Sequence, residues 1–368
     1  MPLLLQLLRG ETLAVAPSAA DWSETLQLAA QESVLPFCAP AIRRQPLALP
    51  EAVSAELAAV DREGAIAAFW WTSELAGILS AFSAKAIPVI LLKGPLLAER
   101  IYGGIHLRTS RDLDLLVRPR DLKRAGAVLA ELGFNAAFRP DDYHESWRRG
   151  TTLVELHHNV ENPLAFRFDM EGIWRRAAEV DFRGQRVRQL SPEDELLFLC
   201  LHGVRHRFER LSHVLDVALA FDRLAPQLQA GAFRARSSAP LRPLLLVGHA
   251  MAKKLRPCLS GLPVAASAAE TAHLEAAAAA RWQALLQAPS APLDWRAQHR
   301  FYLDLESTRR GRLLRAARHL AILSTRLIQA DFDFAARYHA SRPALVWMMR
   351  QLRLLARLST PPKPTSGS

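Results

Sequence analysis

Asp112 and Asp114 stand two residues apart in the run Arg111-Asp112-Leu113-Asp114-Leu115-Leu116-Val117. Read as a strand, this run puts both carboxylates on one face with Leu116, and sends Leu113, Leu115 and Val117 to the other. Two carboxylates so placed repel, and one is driven to keep its proton unless positive charge sits between them. A divalent cation removes the conflict, and Mg²⁺ is commonly held by one or two carboxylates together with substrate phosphates. Upstream, Lys93-Gly94-Pro95 breaks the apolar run Val89-Ile90-Leu91-Leu92. That run is long enough for a buried strand and too short for a helix. Pro95 suits a first helical position. Leu96, Leu97, Arg100 and Ile101 come next at helical spacing, and Gly103-Gly104 ends the helix. Gly94 then offers free backbone N–H groups at a helix N-terminus, which suit a phosphate. Strand, glycine turn, helix and a strand bearing Asp-x-Asp is an arrangement for a metal and a triphosphate.

Lys93-Gly94, Tyr102, Arg108 and the stretch from Asp112 to Val117 resemble the uncharacterised nucleotidyltransferase family of the DNA polymerase β-like superfamily. That superfamily has a Gly-(Gly/Ser) turn, a helix, Asp-x-(Asp/Glu) on the next strand and a third carboxylate on a later one. Pro95 stands where other members have Gly or Ser, and the gap from Gly94 to Asp112 is longer than in minimal members. Farther on, Thr151 to His157 alternates as a strand, with Leu153, Glu155 and His157 on one face and Val154 and Leu156 on the other. The resemblance implies that Glu155, followed by Leu156-His157, is the third carboxylate, with His157 orienting it or a phosphate. An exposed glutamate on a half-solvated strand is the plainer alternative. The resemblance further implies that Lys93, Gly94, Arg108 and Ser110 hold phosphates. It also implies that His202 and His206, in a His-Gly-x-x-His run with Asp216 downstream, lean into the nucleotide pocket. From spacing alone, His202 and His206 share a helix face. A zinc site would match the protease pattern only with Glu at position 203, which is Gly, and a structural hydrogen-bonded pair stays open.

The elements that must position these groups are set out along the chain. Residues 1–82 read as an N-terminal helical region, 83–190 as the catalytic core, 191–288 as helices completing the nucleotide cleft, 294–360 as a basic helical region and 361–368 as a disordered tail. The fold class is α+β, a small mixed β-sheet core flanked by N-terminal and C-terminal helical regions. Glu51 to Ser80 reads as one helix with Leu57, Ile66, Phe69, Trp70, Leu75 and Ile78 as its apolar positions. Trp70-Trp71 are expected in the core or between domains; nucleobase stacking has no support in the sequence. Pro119 and Asp121 start a helix that Gly133 ends, and residues 135–150 form a hairpin or surface loop. Arg183 to Arg188 is expected as the last strand at the sheet edge. Ser191 caps the next helix, with Pro192, Glu193 and Asp194 in its first turn. Arg309, Arg312, Arg315 and Arg318 recur at helical spacing beside Leu313 and Leu314, and Pro343 to Leu358 repeats the design. These read as packed helices with a solvated basic face, the alternative being contact with an anionic membrane or acceptor.

A net charge of +11, carried mainly by arginine, favours an anionic partner without choosing among nucleotide, nucleic acid and acidic lipid. Cys38, Cys200 and Cys258 are far apart and form neither a metal motif nor a disulfide framework, so a reducing cytoplasm is expected. Met1 to Leu8 lacks the basic start of a signal peptide, and no uninterrupted apolar run is expected to reach spanning length.

The expected activity is metal-dependent transfer of an NMP group from an NTP, by default ATP, to an unidentified hydroxyl on a peptide, protein or saccharide, with release of pyrophosphate. Asp112, Asp114 and Glu155 would hold Mg²⁺ or Mn²⁺. Transfer of the terminal phosphoryl group from the same site is the alternative among enzymes. An inactive fold that binds nucleic acid or membrane through its basic helices is the alternative outside them.

Overall fold

The computed structural model describes residues 1–141, 143–163, 165–237, 241–289 and 295–325. The expectations for Pro343 to Leu358 and the tail lie outside the described residues.

Four helices come first: α1 (Pro2–Arg9), α2 (Ala19–Gln31), α3 (Leu35–Arg43) and α4 (Glu51–Ala84). A reciprocal box between Ser18 and Asp21 starts α2. Helix α4 is a strut. Near its start Val53 and Leu57 enter a hydrophobic cluster shared with α1 to α3. Near its end Leu75, Ile78, Leu79 and Phe82 enter a second cluster beneath the sheet. Between these anchors one side of the helix faces residues 105–107 at Gly64, while Ile66, Phe69 and Trp70 are 70%, 76% and 49% exposed. This corrects the expectation that Trp70 is buried: a periodic apolar pattern reports residue type, while two separate anchors leave one side of the middle turns facing solvent. Among the described residues, α4 is long and apolar enough to cross a membrane by composition, with mean hydropathy 1.3 and 22% of that window buried.

After α4 come β1 (Ile90–Leu91), α5 (Pro95–Leu97) continuing as a π turn over Ala98–Tyr102, β2 (Leu113–Leu116), α6 (Leu122–Glu131), β3 (Asn135–Asp141), β4 (His144–Arg149), β5 (Thr152–His157), α7 (Met170–Arg176), β6 (Ala178–Phe182) and β7 (Gln185–Gln189). The strands form one mixed sheet in the order β3-β4-β5-β2-β1-β7-β6. Alternation along β2 and β5 assigns the faces: Leu113, Leu115, Val117, Val154 and Leu156 join the α4–α6 cluster, while Leu116 joins the other.

The Arg183 to Arg188 stretch is not the edge. Arg183 and Gly184, with φ of 53° and 81°, make the two-residue turn of a β6–β7 hairpin. Strand β7 therefore pairs with both β6 and β1, and β6 takes the edge.

The remaining helices are α8 (Pro192–Arg205), α9 (Leu211–Leu224), α10 (Ala230–Arg236), α11 (Arg242–Ala252), α12 (Ala268–Gln287), α13 (Trp295–Asp304) and α14 (Arg309–Thr325). Ser191 caps α8 through the Asp194 N–H as its sequence position suggests. Helices α8, α9, α11 and α12 share the first cluster with α1 to α3, so both flanking helical regions meet on one face of the sheet. On α14, Arg309, Arg312 and Arg318 are exposed, but Leu313 and Leu314 are exposed as well.

Candidate active site

Parallel pairing of β2 with β5 sets Asp114 opposite Glu155 and Leu116 opposite His157. All three polar side chains lie on the sheet face opposite Leu113 and Leu115. Ligand atoms of Asp114, Glu155 and His157 fall within 4.8 Å of one another. Asp114 is almost fully buried, yet its Oδ2 lies 3.1 Å from Lys93 Nζ, and His157 Nε2 donates to its Oδ1 at 3.2 Å. His157 Nε2 also lies 3.4 Å from Glu155 Oε2. Buried ions survive only with such partners.

The protonation equilibria arise from these contacts. Burial opposes ionisation of Asp114, but the Lys93 ammonium and the His157 hydrogen bond overcome it and hold the carboxyl well below its usual range. Burial also works against Glu155, and the His157 bond again wins, lowering its pKa. Burial would make His157 less basic, while its bonds to Asp114 and Glu155 raise it. Asp112 sits one residue before β2, outside this group. Burial first, and the negative charge of Asp114 second, push its carboxyl up to about 6. The cluster thus has more demand for positive charge than Lys93 and His157 meet.

Gly94 holds the turn between β1 and α5 at φ 79° and ψ −147°, a region open essentially to glycine alone. The helix it starts ends at Tyr102, whose hydroxyl donates to Asp216 Oδ1 at 2.5 Å. Arg108 grips both oxygens of Asp216, through Nε and Nη2 at 2.9 Å each, and its Nη1 reaches Ser110 Oγ at 3.4 Å. Asp216, on α9, therefore ties the glycine-turn helix and the loop before β2 to the second helical layer. A pocket of about 330 Å³ opens between them, lined by Lys93, Arg108, Ser110, Asp112, His202, His206 and His213 among others.

His202 and His206 do come together, with ring centroids 4.5 Å apart, but not as zinc ligands. His206 lies past the last turn of α8 as its cap, and its ring stacks on His213 at 5.1 Å. Among the described residues, the side chains whose ligand atoms converge are Asp114, Glu155 and His157, and neither histidine of the pair is with them. Position 203 also excludes the glutamate of the protease pattern, because a Cβ on Gly203 would meet the Phe208 ring. Burial, with His213 and Arg205 adding to it, pushes His206 down to about 2; burial also pushes His213 down to about 3, against the opposing charge of Asp216. His202 falls well below its ordinary value too, burial leading and Lys93 next. All three are neutral imidazoles at pH 7.

The structure thus gathers Lys93, Asp114, Glu155 and His157 into one cluster, and Arg108, Ser110, Asp112, His202 and His206 around the adjoining pocket, with Gly94 at the turn beside Lys93. Sequence reasoning passed over a group on the far side of Glu155. His144 Nε2 lies 3.8 Å from Glu155 Oε1, and its ring lies 5.0 Å from that of His157. Arg205 Nη1 donates to the Tyr143 hydroxyl at 3.0 Å. The signal was there in the antiparallel hairpin, which sets His144 opposite His157, but it needs the β4–β5 register to be seen.

The family model described as uncharacterised nucleotidyltransferase matches residues 18–256. Three solved structures are distant likenesses of part of the chain. The crystal structure of ANT(2'')-Ia in complex with adenylyl-2''-tobramycin is 18% identical, with 45% of this chain and 98% of that one covered at a TM-score of 0.35. The solution structure of the antibiotic-resistance factor ANT(2'')-Ia is 16% identical over 50% and 95% of the two chains, at 0.34. The crystal structure of an antigenic nucleotidyltransferase-like protein from Paracoccidioides brasiliensis is 18% identical over 50% and 92%, at 0.36. No curated protein matches the chain.

Proposed function

Because the chain belongs to the family of uncharacterised nucleotidyltransferases, we propose that it moves an NMP group from an NTP to a hydroxyl acceptor and releases pyrophosphate, using Mg²⁺ or Mn²⁺. The convergence of Asp114, Glu155 and His157 beside the Gly94 turn carries this reading. The residues fit a hard divalent cation. Their carboxylate oxygens are the donors such ions take, and the raised proton affinity of Asp112 marks a place where positive charge is wanted. Asp114 and Glu155, joined by Asp112, would hold it. A bound ion would neutralise charge on the phosphate oxygens and on the entering and leaving groups.

The chain's own groups do the rest. The Gly94 turn presents backbone N–H groups to the phosphates at the start of its helix, and Lys93 supplies the nearest ammonium. Around the pocket, Arg108 and Ser110 stand on the loop that Asp216 fixes, so phosphates meet donors that are already in position. Glu155 is less buried than Asp114 and can accept the proton of an attacking hydroxyl. His157 holds the Glu155 carboxylate in orientation from behind. The neutral His202, His206 and His213 wall the pocket without adding charge that a triphosphate would have to share. A reducing, cytoplasmic setting is part of the proposal, since Cys38, Cys200 and Cys258 are free thiols.

The test is turnover of each NTP with Mg²⁺, with chelator, and in Asp114→Ala. Turnover should need the ion and fall by several kcal/mol of barrier in the variant. Undiminished turnover in Asp114→Ala would overturn the assignment.

A further inference from the structure

Beside the phosphate pocket lies a second cavity of about 300 Å³, of different character. Its walls include Leu35, Pro36, Val60, Ala67 and Trp71, and it shares Ser33 and residues 108–111 with the phosphate pocket. The two are neighbouring chambers separated by one loop. Trp71, half-buried on α4, is one of the residues that line the cavity. Helix α4 sits close on the loop because of Gly64, where a Cβ would stand 3.2 Å from the His106 carbonyl oxygen. Glu63 is exposed on the cavity lining and makes no ion pair among the described residues.

We propose that this cavity is the nucleobase subsite, with Trp71 as the stacking platform and the Glu63 carboxylate as acceptor for N–H groups on the base edge. The inference rests on the nucleotidyltransferase reading and deepens it. A nucleotide is a polyanion joined through a ribose to a flat, largely apolar base. The two chambers reproduce that order: a pocket with Lys93 and Arg108 at hand, a shared loop with Ser110 and Arg111 at its middle, and an apolar cavity with an indole wall. Both volumes stand near the lower end of the roughly 300–1,000 Å³ that small-molecule sites occupy. Every base has a π-face, so an indole platform binds bases with little selectivity. Discrimination falls to Glu63, whose carboxylate oxygens are hydrogen-bond acceptors.

The test compares binding of the α,β-methylene analogues of ATP and GTP with binding of inorganic tripolyphosphate, all with Mg²⁺, by calorimetry on the full chain. Trp71→Ala should weaken both nucleotides on the order of tenfold and leave tripolyphosphate unchanged, while Trp71→Phe keeps most of the affinity. Ala67→Trp retains Trp71 and fills the cavity from an exposed helix position; it too should weaken nucleotides alone, with an unchanged melting temperature. Nucleotide affinity untouched by Trp71→Ala and Ala67→Trp overturns the subsite. So does a parallel loss of tripolyphosphate binding, which would mark a structural role for the helix. Wild-type protein that binds tripolyphosphate as tightly as the nucleotides also overturns it, leaving the transferase reading intact. Binding of none of the three probes overturns both.

Discussion

Asp114 is the residue on which the chemistry turns, and its environment makes its removal informative in two ways. Asp114→Asn takes away a carboxylate and leaves Lys93, 6% exposed, without its partner. Breaking a buried pair from one side costs roughly 3–5 kcal/mol of stability. The double variant Lys93→Met with Asp114→Asn should recover part of that loss in a denaturant titration and none of the activity. Recovery of activity would mean that Asp114 serves only to neutralise the lysine. Asp112 tests the metal from another side. Its carboxyl titrates at about 6 in the ion-free protein, so below that pH a bound cation must displace a proton. Mn²⁺ affinity should fall more steeply below pH 6 than above it, by up to about tenfold per unit more, and Asp112→Asn should remove that added slope. A wild-type profile that is level from pH 7.5 to 5 would count against Asp112 as a ligand. Much of this was legible locally. Alternation alone placed Leu113, Leu115 and Val117 on the face opposite Asp114, as the two clusters bear out. The bonds of Asp216 to Tyr102 and Arg108 were not legible, since they join residues 114 and 108 positions apart, beyond any periodicity.

Two elements carry the site, and each can be tested alone. At the Gly94 turn, a Cβ would meet only Leu113 Cδ2 at 3.7 Å, so the obstacle to a side chain is the backbone angle and not a clash. Gly94→Ala should cost about 1–3 kcal/mol of stability and weaken tripolyphosphate binding; calorimetry showing unchanged binding would remove the turn from phosphate recognition. At the α8–α9 junction, His202, His206 and His213 stay neutral in the fold, while the unfolded chain protonates each near 6.5. Their folded values are depressed, so stability falls as pH drops below about 6.5 and continues falling toward the folded values. Each contributes up to about 1.4 kcal/mol per pH unit. Urea midpoints should therefore decline from pH 7 to 5, and His206→Gln should lessen the slope. An identical slope in that variant would mean that His206 is not held neutral. The expected shared face of His202 and His206 is kept although α8 ends at Arg205: the His206 N–H still donates to the His202 carbonyl, and the two rings lie 4.5 Å apart. The edge-strand expectation for Arg183 to Arg188 failed. Sheet order depends on which strands pair, and the pairing of β7 with β1 leaves no trace in either sequence.

At the scale of the whole molecule, the sheet divides two hydrophobic clusters, and helix α4 joins them. That helix holds the outer wall of the proposed base cavity while one side of its middle turns stays exposed. Its long apolar pattern read from sequence as a buried element, because composition does not say that the anchors sit at its two ends. The mixed α/β class was legible from the order of strand and helix patterns. The meeting of residues 1–57 with the helices after 190 in one cluster was not, since it depends on how both regions cover the same sheet face. What the assembly is for comes down to which phosphate bond breaks. The most direct measurement supplies an NTP labelled at the α-phosphate, and in parallel at the γ-phosphate, to wild type and to Asp112→Ala/Asp114→Ala with Mg²⁺, and resolves the products. Nucleotidyl transfer puts γ-label in pyrophosphate and α-label on an acceptor or, with water as acceptor, in NMP, all lost in the double variant. Nucleoside diphosphate with the γ-label transferred, or equal turnover in the double variant, would contradict it.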